Sequence, residues 1–276
     1  MNVRIRSWLV TFVALALLVF SVYRIAKAIT MRHLAEVQIK VTPFTIQTED
    51  YNFRKSADGQ LVRRDTVARQ SNGSFVKMSS VYNEVGLAAG ETVRTLRLAD
   101  GRGYWVFDGI ASLSTWPTLS DKQLAVYKES LLSPPTNCAH QGETVAGFEL
   151  VGGHQVVKVT EEISGKKLTL WKAADLSCQL LQLHTEVIQP DGSLKLVYES
   201  RLVKLQIGEP DAALFEVPTS YAVLTPSEAW KREADKLGVP WTPGMEKTEE
   251  DDDAFLNSSS HHHPPLVGLR AFGAYL

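Results

Sequence analysis

The sequence predicts a mainly β fold with some α: a single curved antiparallel sheet, open as a half-barrel, with one inserted helix and a C-terminal helix, preceded by one transmembrane helix. Three features predict it. Turn residues punctuate alternating apolar and polar runs at a spacing of about eight to twelve residues, the mark of an antiparallel meander. Helix-start signals stand at Ser120, with Gln123 three residues on, and at Thr225, with Pro226 and Glu228 following. The apolar set of the last long run begins on even positions (Leu194, Leu196, Tyr198, Leu202) and ends on odd ones (Val203, Leu205, Ile207). Side chains alternate faces in a strand, so the pleat must slip near Ser200 to Leu202, and a bulge there bends the sheet.

Residues 1–33 form the first unit. Arg4 and Arg6 precede an uncharged apolar run over residues 7–23, which Arg24 and Lys27 close. Its length is at the lower limit for a bilayer span, and it reads as an uncleaved anchor. The alternative is a cleaved signal: Ala26-Lys27-Ala28 has the small-x-small form, against which the bulky, charged Tyr23-Arg24 counts. Either reading exports the remainder of the chain. Basic residues flank the run on both sides, so charge does not orient it. The cysteines do. Cys138 and Cys178 are an even pair in an exported chain, which predicts a disulfide, with two unpaired buried thiols as the alternative. The expected location is the bacterial inner membrane, single-pass, with the folded domain in the periplasm.

Residues 34–224 form the sheet domain. Val37, Ile39 and Val41 alternate with polar neighbours, and Phe44 and Ile46 follow across Thr42-Pro43. After the turn Ser56-Ala57-Asp58-Gly59, a strand carries Arg63, Arg64 and Arg69 with few apolar residues, which reads as a basic edge strand; contact with an anionic headgroup is the alternative. Ser71-Asn72-Gly73 turns the chain again, Asn-Gly being a strong hairpin signal. Phe75 to Tyr82 and Thr92 to Leu98 resume the sheet, and Tyr104-Trp105-Val106-Phe107 is an aromatic strand between Asp100-Gly101 and Asp108-Gly109. The inserted helix runs from Asp121 to Leu132 with Leu124, Tyr127, Lys128 and Leu131 at helical spacing, and Pro134-Pro135 stops it. About four further strands follow, the clearest being Leu168 to Lys172, Leu181 to Val187 and Leu194 to Ile207, with Gln189-Pro190-Asp191-Gly192 as a turn.

Residues 225–238 form the C-terminal helix, ended by Gly238, with Leu224, Trp230 and Leu237 placed to lie on the sheet. Residues 239–276 read as a disordered tail, acidic over Glu246 to Asp253 and then rich in serine and histidine. Glu246 to Asp253 hold six acids against one lysine, so within the net charge of −2 the remaining chain is close to neutral, and nothing in it resembles the basic stripe with stacking aromatics that nucleic acid requires.

The turn Asp191-Gly192-Ser193, the strand end Leu205-Gln206-Ile207-Gly208 and the closing Pro210-Asp211, Leu214-Phe215 and Pro218 carry a resemblance over about residues 34–222. The chain resembles the lipoprotein-localisation half-barrels and the related periplasmic sensor domains of the RseB type. It departs from them in two ways. No cysteine follows the apolar run as a lipid attachment point, and an anchor would prevent the soluble shuttling of a carrier.

In a half-barrel the inner face is either filled by its helices or left as an apolar cavity, and aromatic residues mark that choice. Trp105, Phe107, Trp116 and Trp171 are the candidate ligand-binding residues, with a closed core as the alternative. No nucleophile elbow, zinc-binding histidine pair or phosphate-binding loop occurs, and His140, His154 and His184 are far apart in sequence. No catalytic residue, metal site or cofactor is therefore expected, His261 to His263 being read as part of the tail. The expected function is a membrane-tethered, non-catalytic envelope protein that binds a lipid or lipidated ligand on the sheet. An interaction or sensor module, meeting an envelope protein through a sheet edge, the C-terminal helix or the tail, is the alternative. An envelope hydrolase is the third.

Overall fold

Hairpin chemistry and alternation build a single sheet. The computed structural model describes residues 19–26, 29, 38–54, 56–82 and 93–237. Its strands are β1 (Phe44–Asn52), β2 (Gln60–Arg69), β3 (Phe75–Val81), β4 (Val93–Arg97), β5 (Gly103–Phe107), β6 (Ser112–Trp116), β7 (Thr144–Val151), β8 (His154–Ile163), β9 (Lys166–Ala173), β10 (Gln179–Ile188), β11 (Leu194–Ile207) and β12 (Ala222–Val223). All twelve join one sheet in the order β12-β6-β5-β4-β3-β2-β1-β11-β10-β9-β8-β7. Two antiparallel meanders, β1 to β6 and β7 to β11, are thus sewn together by the pairing of β1 with β11. The short β12 runs parallel to β6 at the far edge. Helix α1 (Asp121–Leu132) fills the crossover between the meanders, and helix α2 (Pro226–Leu237) follows β12.

The turns form where their residues demand. Gly73 sits at φ +86° and Gly192 at φ +82°, a region open to glycine without penalty. The second of these turns is locked by Asp191, whose carboxylate accepts from the Ser193 amide at 2.9 Å and hydroxyl at 2.7 Å. The slip anticipated near Ser200 to Leu202 is resolved into two bulges, one on each side of that stretch. Val203 is the extra residue against β1, where Gln47 opposes Lys204 and Thr48 opposes Leu202. Val197 is the extra residue against β10, where Thr185 opposes Tyr198 and Glu186 opposes Leu196. Each bulge raises local twist, and β11 bends the sheet at its middle.

Both helix starts carry the expected reciprocal caps. The Ser120 hydroxyl accepts from the Gln123 amide while the Gln123 side chain accepts from the Ser120 amide. Thr225 and Glu228 repeat the arrangement for α2. Leu124 and Ala125 bury against Leu119, and the Tyr127 hydroxyl reaches the Gly73 carbonyl at 2.8 Å, tying α1 to the β2–β3 turn. Ser120→Ala removes one side of its box and should cost about 1 kcal/mol in urea unfolding, with the far-ultraviolet spectrum unchanged. A midpoint equal to that of the parent would mean that tertiary contacts alone hold the start of α1.

Several expectations are corrected. Six strands, where about five were expected, precede α1, and five longer strands plus the two-residue β12, where about four were expected, follow it. Residues 38–43 are extended but join no ladder; Ile39 and Val41 are buried, and the Val41 amide bonds to the Ser71 carbonyl at 2.9 Å. Strand β2 lies inside the sheet between β1 and β3, so its arginines do not guard an edge. Arg63 serves buried carboxylates and Arg69 a carbonyl, while the exposed Arg64 pairs with Glu49 on the neighbouring β1.

The expected transmembrane run falls largely outside the described residues, as do Val37, Gly238 and the tail from residue 239. Residues 19–26 are helical, and among the described residues no helix is long and apolar enough to cross a membrane.

Cys138 and Cys178 form the disulfide, with Cα atoms 5.3 Å apart. The bridge pins the segment leaving α1 to the start of β10, and Cys138 is fully buried among Val157, Val159, Leu168, Leu170, Leu183 and Tyr198.

Candidate functional site

Strand register decides which of the candidate aromatics share a face. In the β5–β6 pair Phe107 lies opposite Ser112, Trp105 opposite Ser114 and Gly103 opposite Trp116. Directly opposed residues project to the same side, so these six form one surface. Gly103 keeps that surface flat: a Cβ there would stand 3.0 Å from the Trp116 Cβ and 2.8 Å from an Arg97 guanidinium nitrogen. Helix α2 lies across it through Ala229 and Trp230, with Leu224, Val93 and Ile110 at the margins. The rings meet edge to face, with centroids 4.9 Å apart for Trp105 and Trp116, 6.4 Å for Trp105 and Trp230, and 5.0 Å for Phe107 and Trp230. Such pairs add to what simple burial contributes.

The same register carries this face across the sheet. Phe107 opposes Val93, Val93 opposes Ser79, Ser79 opposes Asp65, and Asp65 opposes Thr48. There the aromatic surface gives way to charge. Asp50, 1% exposed, accepts from Arg63 at 2.6 and 2.7 Å and from the Tyr198 hydroxyl. Asp65, 5% exposed, holds Lys77 at 3.0 Å and Arg63 at 3.3 Å. Burial alone would lift the Asp65 carboxyl, but Lys77 and Arg63 outweigh it and hold the group below the ordinary aspartate range. Burial alone would lower the Arg63 guanidinium, yet the two aspartates raise it. Tyr198 is raised, chiefly by burial. The network is charge-neutralising and structural in form. Arg69 is buried differently: its guanidinium lies 4.6 Å over the Phe44 ring and donates to the Thr42 carbonyl at 3.1 Å.

Three of the four candidate aromatics are therefore brought together, and Trp171 is not among them. It lies on β9, its indole N–H donating to Glu149 at 2.7 Å, with His184 4.7 Å and the Lys158 ammonium 5.2 Å from the ring. The hydrogen-bonding partners of His184 are Gln182 at 3.1 Å and Glu199 at 3.2 Å; His154 lies 3.5 Å from Asp175. Neither constellation is that of a base with a nucleophile.

Sequence reasoning named Trp230 only as a packing residue and passed over Ser112 and Ser114. The signal for the serines was the alternation Ser112-Leu113-Ser114-Thr115-Trp116, which puts two hydroxyls on the face of a tryptophan already singled out.

No protein-family model and no curated protein matches the chain. Solved structures do. The complex of Pseudomonas aeruginosa MucA/MucB matches at 15% identity and a TM-score of 0.38, over 71% of this chain and 61% of that one. PNGF-II matches at 8% identity and a TM-score of 0.40, over 71% of this chain and 33% of that one. A putative outer membrane lipoprotein-sorting protein domain from Vibrio parahaemolyticus matches at 10% identity and a TM-score of 0.21, over 68% and 94%. The half-barrel resemblance drawn from the sequence is represented among these structures. At such identities and scores the likeness carries no argument about function, and what those proteins bind is said of them alone.

Proposed function

We propose that residues 34–224, closed by the helix 225–238, form a membrane-tethered, non-catalytic envelope module that binds a lipid or lipidated ligand on the face carrying Trp105, Phe107 and Trp116. The observation that supports it most is that this aromatic face, at one end of the sheet, is covered by α2 rather than by a second sheet. An apolar surface lined with rings and few polar groups suits acyl chains. Helical residues 19–26 leave Val19, Phe20, Val22, Tyr23 and Ile25 each more than half exposed, which supports the anchor. The disulfide supports an oxidising compartment, most simply a bacterial periplasm beyond the inner membrane.

Native mass spectrometry of full-length protein released from detergent should find an adduct of lipid mass, and Trp105→Ala should reduce it. Protein that sprays free of any adduct, and takes up none from added envelope lipid, would sink the reading.

One observation favours a protein-interaction module as a second reading. Strand β7 is the free edge of the sheet, and Phe148 and Leu150 on it are 63% and 76% exposed. Free edges with apolar side chains accept an added strand. Charged replacements at both positions should abolish capture of a protein partner and leave the lipid adduct intact.

A further inference from the structure

Four polar groups near α2 are buried without a hydrogen-bond partner: the hydroxyls of Ser112 and Ser114 and the indole N–H groups of Trp116 and Trp230. Both serines are 0% exposed. Leaving a buried polar group unpaired destabilises a fold, and alanine or phenylalanine at these positions would pack without that cost. Three of the four groups belong to alternate residues of one strand and the fourth to the helix lying across it. An indole N–H only donates, and a hydroxyl can donate, so a ligand that satisfies them must offer acceptors.

We propose that these groups hold the ester carbonyls of a diacyl lipid whose chains lie against Trp105 and Phe107, with α2 as the cover of the site. This rests on the lipid-binding reading and specifies the part of the ligand that is recognised. A neutral carbonyl fits better than an anionic head, because it offers acceptors without the cost of burying a charge. The cover is lightly fastened. The hydrogen bonds from the Ala222 amide to the Ala111 carbonyl and from the Leu224 amide to the Leu113 carbonyl hold the chain entering it, and the Lys236 ammonium reaches the Gly109 carbonyl at its other end. Two sources share this chemistry, a membrane glycerolipid and the diacylglyceryl group of a lipidated peptide.

The test uses the full chain in detergent and three probes: a diester phosphatidylcholine, its diether analogue, which lacks the carbonyls but keeps the head and chains, and a synthetic diacylglycerylcysteine peptide. The diester, the lipopeptide or both should bind about tenfold more tightly than the diether, the scale expected of one or two hydrogen bonds. The S112A/S114A variant should lose that preference while binding the diether as before, and should melt at a higher temperature than the parent without ligand. W230F gives an independent reading, since it keeps an aromatic ring at that position and removes the indole donor. Preference for the lipopeptide alone assigns the carbonyls to a lipoprotein, and preference for the diester alone assigns them to a membrane lipid. Equal binding of diester and diether by the parent overturns the ester site but leaves lipid binding standing. A preference that survives in both variants overturns it equally. Failure of every probe to bind overturns the lipid-binding reading itself.

Discussion

Replacing Cys138 or Cys178 by serine is expected to lower the unfolding free energy by about 2–5 kcal/mol. The bridge closes a loop with a sequence separation of 40, for which chain entropy alone corresponds to about 4 kcal/mol. Its topological effect is as large. Without it nothing covalent holds the exit of α1 to the start of β10, and the cluster of Val157, Val159, Leu170 and Leu183 loses the fully buried Cys138 as a fixed neighbour. Cys138, Ser177 and Cys178 also hold positive φ, at 51°, 58° and 60°, a conformation that disfavours side-chain-bearing residues. Urea unfolding of the oxidised parent and the serine variants measures the loss. Two freely alkylated thiols in protein taken from cells would contradict both the bridge and the oxidising compartment.

Arg63→Met should destabilise by about 3–5 kcal/mol at neutral pH, because it strands buried carboxylates and leaves the partner charges uncompensated. Asp50 and Asp65 are 1% and 5% exposed, and Arg63 bridges them. The pH dependence follows from Asp65. Its folded pKa is depressed, so its contribution is present above the ordinary aspartate value of about 4 and is lost as pH falls through the lower folded value. The parent therefore loses this stabilisation in acid, and the gap between parent and Arg63→Met should narrow below about pH 4. Adding Asp50→Asn to Arg63→Met should recover part of the loss at neutral pH. A gap that stays constant from pH 7 to pH 3 would show that Arg63 acts through packing of its stem and not through its charge.

Turns and caps were legible because their chemistry is local. Asn72-Gly73, Asp191-Gly192, the Ser120 box and the Thr225 box all do in the fold what their residues do in isolation. The phase change in β11 was legible for the same reason, since a period of two cannot be shifted without an extra residue. Strand β7 was not read, and its burial pattern shows why: Phe148 and Leu150 project from a free edge toward solvent, so no half-buried alternation marks it. Residues 38–43 fail in the opposite sense, having the alternation but joining no ladder, with the Val41 amide bonded to the Ser71 carbonyl. The arginines of β2 were misread because charge on a strand ordinarily faces water, whereas Arg63 meets Asp50 across the β1–β2 hairpin and Tyr198 on β11, 135 residues away in sequence. At the site the tryptophans were visible and their grouping was not. Only the register of β5 with β6 puts Trp116 on one face with Trp105 and Phe107, only the sheet order sets Trp171 apart on β9, and only the return of the chain through β12 brings Trp230 over both Trp105 and Phe107.

The central claim is that an acyl ligand lies against β5, β6 and α2. A photoreactive diester lipid with its diazirine within the acyl chain, cross-linked to the full-length protein and mapped by peptide mass spectrometry, tests it most directly. Adducts should concentrate on the peptides spanning residues 103–116 and 226–237, and excess unlabelled diester should suppress them. Adducts confined to residues 7–29, or labelling of the sheet peptides that unlabelled lipid leaves unchanged, would contradict it.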